Sequence, residues 1–183
     1  MFQALPGIKY VYIGVAKMIE LRGISILDDN IKECIELEFF PEQKGFVATN
    51  AVSLAEAYDE NKAHAENGKG ALAVPYAVYE NGKMVGFAMY GYVSPEGEEY
   101  TKDEHFYYFW RLLIDKNHQR RGIGREVVRQ VMEEIKTKPH GEASYCFVSY
   151  APANIGSKTT FASYGFEEDG RIIDGEVVAR YKL

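Results

Sequence analysis

The stretch Leu112-Leu113-Ile114-Asp115-Lys116-Asn117-His118-Gln119-Arg120-Arg121-Gly122-Ile123-Gly124 decides the fold of this 183-residue chain. Its first residues extend an apolar run that ends in a polar turn, which predicts a buried strand over 105–114. Beyond Gly122 and Gly124, the apolar residues Val127, Val128, Val131, Met132 and Ile135 recur at helical spacing. A helix therefore follows, starting near Arg121 and ending by Pro139. Strand, glycine turn and helix in this order make a phosphate cradle. The first N–H groups of a helix have no intrahelical partner, and its dipole favours an anion there. Gly122 and Gly124 carry no Cβ, so a phosphate can approach the backbone, and Arg120 and Arg121 add fork-shaped donors.

The turn is not a P-loop, because no Lys-Ser or Lys-Thr follows its second glycine. Nor is it a dinucleotide fingerprint, which needs a third glycine. Working outward, a first strand begins at Met18. Asp28, Asp29 and Asn30 offer N-cap oxygens to an amphipathic helix carrying Ile31, Cys34 and Ile35 and ending near Phe40-Pro41. Ser53-Leu54-Ala55-Glu56 reads as a capping box opening a helix that stops at Asn67-Gly68. Strands over 71–80 and 83–93 flank the two-residue turn Asn81-Gly82, a strong hairpin signal. A polar loop over 94–103 leads to the strand ending at Ile114. After the long helix come a strand over 143–150, a short helix over 153–164 and a closing hairpin around Asp174-Gly175. The order β-α-α-β-β-β-α-β-α-β-β predicts one α/β domain over 18–183, built on a mixed, mostly antiparallel sheet flanked by helices.

Residues 1–17 are expected to be an extension, either an extra edge strand or a surface segment. The apolar run over 8–16 is bracketed by Lys9 and Lys17, lacks the long apolar region of a secretion signal and is too short to span a bilayer. A net charge of −6 argues against nucleic acid and is compatible with a cationic small molecule. Cys34 and Cys146 stand alone in apolar contexts and are expected as reduced core residues. The four histidines (His64, His105, His118, His140) show no paired spacing, so no metal site is expected.

The pattern Gln119-x-x-Gly122-x-Gly124 resembles the pyrophosphate loop of the GNAT superfamily of N-acetyltransferases. Val85-Gly86-Phe87-Ala88-Met89-Tyr90-Gly91 is similar to a strand of the bacterial spermine/spermidine acetyltransferase branch. The stretch from Asn154 to Phe166 resembles the superfamily's N-x-x-A-x-x-L-Y-x-x-x-G-F helix, and Gly165-Phe166 through Glu176 its closing hairpin. The likeness covers 18–183. It implies the GNAT fold with splayed central strands, acetyl-CoA as cosubstrate, a small-molecule amine as acceptor and a cytoplasmic location. The oligomeric state stays open, a homodimer included.

Roles follow residue by residue from that resemblance. Backbone groups of Leu112, Leu113 and Ile114 would bind pantetheine and polarise the acetyl carbonyl, a task suited to preorganised donors. Gln119, Arg120, Arg121, Gly122, Ile123 and Gly124 would hold the pyrophosphate. Asn154 would contact the pantetheine arm or act as a plain N-cap. The related diamine enzymes place a Glu base where Trp110 stands here, so that base is missing. Glu104, His105 and Glu42 are nearby candidates, none of them assigned. The usual acid, a Tyr, is replaced by Phe161. Tyr164 is the candidate catalytic substitute, although it lies about 60° round and ~4.5 Å along an ideal helix from that position. Half-buried packing is its favoured reading. The functions implied are acetyl transfer to a polyamine such as spermidine or spermine, transfer to another amine (an aminoglycoside, amino acid or protein N-terminus), or coenzyme A binding with little turnover.

Overall fold

A computed structural model describes residues 18–25, 30–95, 100–102 and 104–183; the expected extension over 1–17 and the cap residues Asp28 and Asp29 lie outside the described residues. The elements run β1 (Ile19–Gly23), α1 (Asn30–Ile35), α2 (Asn50–Asn67), β2 (Ala71–Glu80), β3 (Lys83–Val93), β4 (Phe106–Ile114), α3 (Ile123–Lys136), β5 (Tyr145–Tyr150), α4 (Ile155–Ala162), β6 (Glu167–Ile173) and β7 (Glu176–Lys182). This is the expected order, with short 3-10 turns at Pro41–Gln43 and Lys116–His118 added. Among the described residues the strands form one seven-stranded sheet in the order β1-β2-β3-β4-β5-β7-β6. Every pairing is antiparallel except β4 with β5.

Turn chemistry sets the hairpins. Asn81 and Gly82 (φ 51° and 82°) and Asp174 and Gly175 (φ 50° and 82°) take the left-handed conformations that two-residue hairpins require. The apolar stripe of α3 is buried as expected, from Ile123 through Ile135. Glu134 on α3 accepts hydrogen bonds from the hydroxyls of Tyr76 (2.8 Å) and Tyr90 (2.7 Å), which fixes the helix on the sheet. One sheet face packs Tyr107, Phe109 and Val148 against α3 and α4. The other packs Phe87, Met89 and Leu113 against α1 and α2. Cys34 and Cys146 are buried free thiols. Burial pushes the Cys34 thiol up to about 12, well away from thiolate reactivity. Among the described residues no helix is long and apolar enough to cross a membrane.

Three helix boundaries differ from expectation. The capping box at Ser53 does not form. Helix α2 begins at Asn50, capped by Thr49 Oγ1, and Ser53 already donates its backbone N–H to Thr49 O (3.0 Å) inside the first turn. A tertiary contact wins here: buried Asn50 donates its side-chain N–H to Cys34 O (2.8 Å), tying the start of α2 to α1. Helix α1 stops at Ile35, short of Phe40-Pro41: Leu37 N closes a last tight turn on Cys34 O (3.4 Å), and Glu38 N bonds Asp115 Oδ2 (3.1 Å) in place of a helical carbonyl. Helix α4 covers only Ile155–Ala162, and the chain reverses through Gly165 at φ 115°.

Candidate active site

The cleft begins where β4 leaves β5. The parallel ladder holds only at Tyr107 with Cys146 and Tyr108 with Phe147. On its other edge β4 stays paired with β3 as far as Ile114, but the register shifts so that Trp110 has no partner between Phe109 and Arg111. Such a bulge bends the strand and increases its twist, which turns the second half of β4 away from β5. The resulting V is the splay that the family resemblance implied. Leu112, Leu113 and Ile114 line one arm and Val148, Ser149 and Tyr150 the other, around a cavity of ≈ 1150 Å³. Gly86 permits the close β3–β4 approach along the first arm. A Cβ there would lie 2.6 Å from Leu113 O.

The N-terminus of α3 opens into the same cleft. Gly122 is its N-cap, in left-handed backbone (φ 82°), with no side chain capping the first turn. The turn's N–H groups are thus left for an anion, as at phosphate-binding helix termini. Arg120 also adopts a left-handed conformation (φ 58°), and it lines the cleft with Gln119, Gly122, Ile123 and Gly124. Arg121 is the exception among the expected cradle residues. It does not line the cleft, because its guanidinium pairs with the buried Glu80 carboxylate at 2.7 Å. Gln119 has a bracing task that its sequence pattern did not reveal. Its amide donates to Ile114 O (3.0 Å) and exchanges reciprocal bonds with the amide of Gln43 (2.9 and 3.2 Å). The glycine turn is therefore locked to the end of β4 and to the 3-10 turn Pro41–Gln43.

Asn154 caps α4, its Oδ1 accepting from Ser157 N at 3.1 Å, and it also lines the cleft. Phe161 lines the cleft from the first face of the core, edge-on to Phe109 and Phe166. Tyr164 is not among the cleft-lining residues. Its hydroxyl donates to Glu133 on α3 (3.2 Å), and its ring packs on Tyr181. The three base candidates also stand outside the lining. Glu104 accepts from Ser144 Oγ (2.9 Å), His105 stacks on Tyr92 (centroids 5.0 Å apart), and Glu42 lies on an exposed 3-10 turn.

Other polar residues in the cleft have no local sequence signature. Tyr108 and Ser149 share a hydrogen bond of 2.6 Å across the closed end of the V. Ser149 Oγ donates to the Glu176 carboxylate at the start of β7, and Tyr100 bonds Tyr108 at 3.1 Å. Burial pushes the Tyr108 phenol above its ordinary range, so it stays neutral and keeps its proton. Arg111 reaches Glu56 on α2 at 2.8 Å. Among the described residues no cluster of metal-ligating side chains occurs.

Comparison with known proteins agrees with this geometry. The chain is 26% identical over 158 residues to a probable spermine N(1)-acetyltransferase of Bacillus subtilis subsp. natto (strain BEST195), a match covering 84% of this chain and 93% of that protein. It is 25% identical, with the same coverage, to the spermine/spermidine N(1)-acetyltransferase of Bacillus subtilis (strain 168). Its backbone superposes on aminoglycoside acetyltransferase AAC(6')-Ib in complex with coenzyme A with a TM-score of 0.68 at 16% identity, covering 90% of this chain and 95% of that one. PaiA N-acetyltransferase from Thermoplasma acidophilum in complex with coenzyme A gives 0.58 at 14% identity, covering 91% and 99%. At these identities the structural likenesses speak for the fold alone. The family model for acetyltransferases of the GNAT family matches residues 33–166, and with the splayed β4 and β5 beside an uncapped helix α3, the chain belongs to the acetyltransferase (GNAT) family.

Proposed function

We propose that this protein transfers an acetyl group from acetyl-CoA to a primary amine, with a polyamine such as spermidine or spermine as acceptor. The observation that carries the reading is the V between β4 and β5, which opens beside the uncapped N-terminus of α3. The uncapped N–H groups and Arg120 suit a diphosphate, and the edge of β4 that has left β5, along Leu112, Leu113 and the N–H side of Ile114, suits the amide-bearing pantetheine arm. Asn154 supplies the same arm with a side-chain amide from the opposite wall. Acetyl-CoA brings an acetyl group already activated as a thioester. The chain's part is to orient it, to aim backbone donors at the carbonyl and to present the amine in free-base form.

For the acceptor, the two polyamine-acetylating relatives favour a cationic amine. Chemistry near the cleft agrees. A recess of ≈ 230 Å³ shares Tyr100, Tyr108 and Trp110 with the cleft and carries the Glu60 carboxylate. Aromatic faces with a carboxylate suit the second ammonium of a polyamine. Steady-state release of coenzyme A across a panel of polyamines, aminoglycosides, amino acids and peptides tests the assignment. Polyamines should give the highest kcat/KM. Preference for another amine class would replace the acceptor, and no turnover of any amine with acetyl-CoA still bound would make the protein a coenzyme A-binding module.

A further inference from the structure

A general base is the part of the site that sequence reading left unassigned. The candidates it named, Glu104, His105 and Glu42, do not line the cleft, yet a carboxylate does reach it by another route. Glu176 stands at the first position of β7, opposite Ile173, and lines the cleft. Ser149 Oγ donates to it from β5, and Tyr108 Oη lies 2.6 Å from Ser149 Oγ. The placement follows from the register. Parallel pairing ends at Tyr108 with Phe147, and Ser149, two residues further along β5, shares the face of Phe147. The two hydroxyls therefore meet at the apex of the V, where the strands begin to part, and the carboxylate stands behind them.

We propose that Tyr108, Ser149 and Glu176 form a relay that removes the proton from the attacking amine, with Glu176 as its terminal base. The inference rests on the acetyltransferase reading. Transfer from a free alkylammonium to a carboxylate is uphill by about six pKa units, so the relay cannot simply deprotonate the resting acceptor. Acceptor enters the reaction as free amine, having lost one proton to water. As its lone pair forms the N–C bond, nitrogen becomes cationic and its remaining N–H groups acidic. One N–H bond then breaks towards Tyr108 Oη, the Tyr108 proton moves to Ser149 Oγ, and the Ser149 proton completes an O–H bond on Glu176. The C–S bond breaks with its electron pair on the sulfur of coenzyme A. The products are the amide, the thiolate and a protonated Glu176, which releases its proton to the thiolate or to water.

The surroundings suit the task. The Tyr108 phenol is held neutral by burial, as a relay member must be. Tyr100, Tyr108 and Asp174, at the β6–β7 turn, line the cleft together with Glu176, while the cation on β6, Arg171, is engaged elsewhere. The Arg171 guanidinium lies over Phe147 (5.4 Å) and binds Asp169 at 2.6 Å. Tyr100 extends the chain of hydroxyls by one more bond, so the amine can hand over its proton at either phenol.

The test is kinetic. Glu176→Gln and Ser149→Ala should each lower kcat by ~10²-fold, within the usual range for a proton-transfer group, with affinity for acetyl-CoA unchanged. The double variant should be no slower than either single one, because breaking a chain twice costs no more than breaking it once. Ser149→Thr, which restores a hydroxyl, should recover most of the loss. The loss should sit in kcat, with KM for the amine little changed, in Glu176→Gln and Ser149→Ala alike. Additive losses, a loss carried by KM instead of kcat, or a Glu176→Gln enzyme as fast as wild type would each overturn the relay. Wild-type protein that turns over no amine would instead remove the acetyltransferase reading, and the relay with it.

Discussion

The Phe161 ring lies 5.0 Å from that of Phe109 and 5.3 Å from that of Phe166, both edge-on, and the residue is only 3% exposed although it lines the cleft. In the related helix pattern a Tyr stands at this position, and Phe has no proton for the departing thiolate. Tyr164 is poorly placed to replace it. The Tyr164 hydroxyl is committed to Glu133, and the Lys136 ammonium sits 5.2 Å from its ring centroid. Burial raises the Tyr164 phenol despite the nearby lysine, so the hydroxyl stays a neutral donor to Glu133. Phe161→Tyr should therefore raise kcat, by the lower end of the ~10²–10⁴-fold that a general acid contributes, because a thiol is already a good leaving group. Some stability should be lost, since the new hydroxyl enters an apolar cluster. Tyr164→Phe should leave kcat unchanged and cost at most about 1 kcal/mol of stability, the worth of one hydrogen bond. Stopped-flow turnover together with urea unfolding checks both variants. A large kcat loss in Tyr164→Phe, with none gained in Phe161→Tyr, would make Tyr164 the acid. The departure at Phe161 was legible through the resemblance to the related helix pattern, whereas the spacing argument for Tyr164 assumed a helix that in fact ends at Ala162. The hydroxyl chain from Tyr108 to Glu176 was not legible, because its members meet only through the pairing of β4, β5 and β7.

At the scale of the element, hairpins and the long helix were readable because their signals are local. Asn81-Gly82 and Asp174-Gly175 demand left-handed backbone, and the α3 stripe runs for almost four turns. Boundaries failed where a distant contact overrode a local pattern. The Ser53–Glu56 motif is a sound capping box in sequence, but Asn50 reaching Cys34 O sets the start of α2. Another element-level feature, the bulge at Trp110, left no trace in composition, since a bulge is a mismatch between two strands and a single strand does not display it. Gly86 lies further along the same β3–β4 pairing, opposite Ile114. It reads as a weak spot in β3, yet a Cβ at this position would lie 2.6 Å from Leu113 O and 2.8 Å from Ile114 Cδ1. Backbone oxygen in a paired strand yields little. Gly86→Ala should destabilise by ~1–3 kcal/mol, the usual cost of overpacking. It should also weaken acetyl-CoA binding, because relief of the clash must push the Leu112–Ile114 arm. Denaturant unfolding and calorimetry measure the two effects. Loss of stability with unchanged acetyl-CoA affinity would mean that this arm does not hold the ligand.

At the scale of the molecule, the cleft is closed by segments far apart in the chain. The stretch from Leu37 to Gln43 is strapped to the β4–α3 loop. Lys116 N donates to Glu38 O (2.8 Å), Glu38 N to Asp115 Oδ2 (3.1 Å), and Gln43 pairs with Gln119. Asp115 is the hinge of this strap, for its Oδ1 also accepts from the N–H of Asn117 (3.0 Å). Burial works to raise the Asp115 carboxyl, but the N–H groups of Glu38 and Asn117 outweigh it and hold the carboxyl below its ordinary value. The sign of the linkage follows. A carboxylate depressed in the folded state contributes stability that is present in full above the unfolded value of about 3.9 and is lost as pH falls through the lower folded value. Asp115→Asn keeps the shape and one acceptor oxygen but cannot ionise. At neutral pH the variant should unfold at lower urea than wild type. That gap should hold constant down to about pH 5, then narrow and close below the ordinary aspartate value as the wild-type carboxylate takes up its proton. Urea titrations of both proteins from pH 7 to pH 2.5 would show it. A gap independent of pH would mean that the charge contributes nothing and that the strap rests on the uncharged bonds alone, chiefly Lys116 to Glu38 and Gln43 to Gln119.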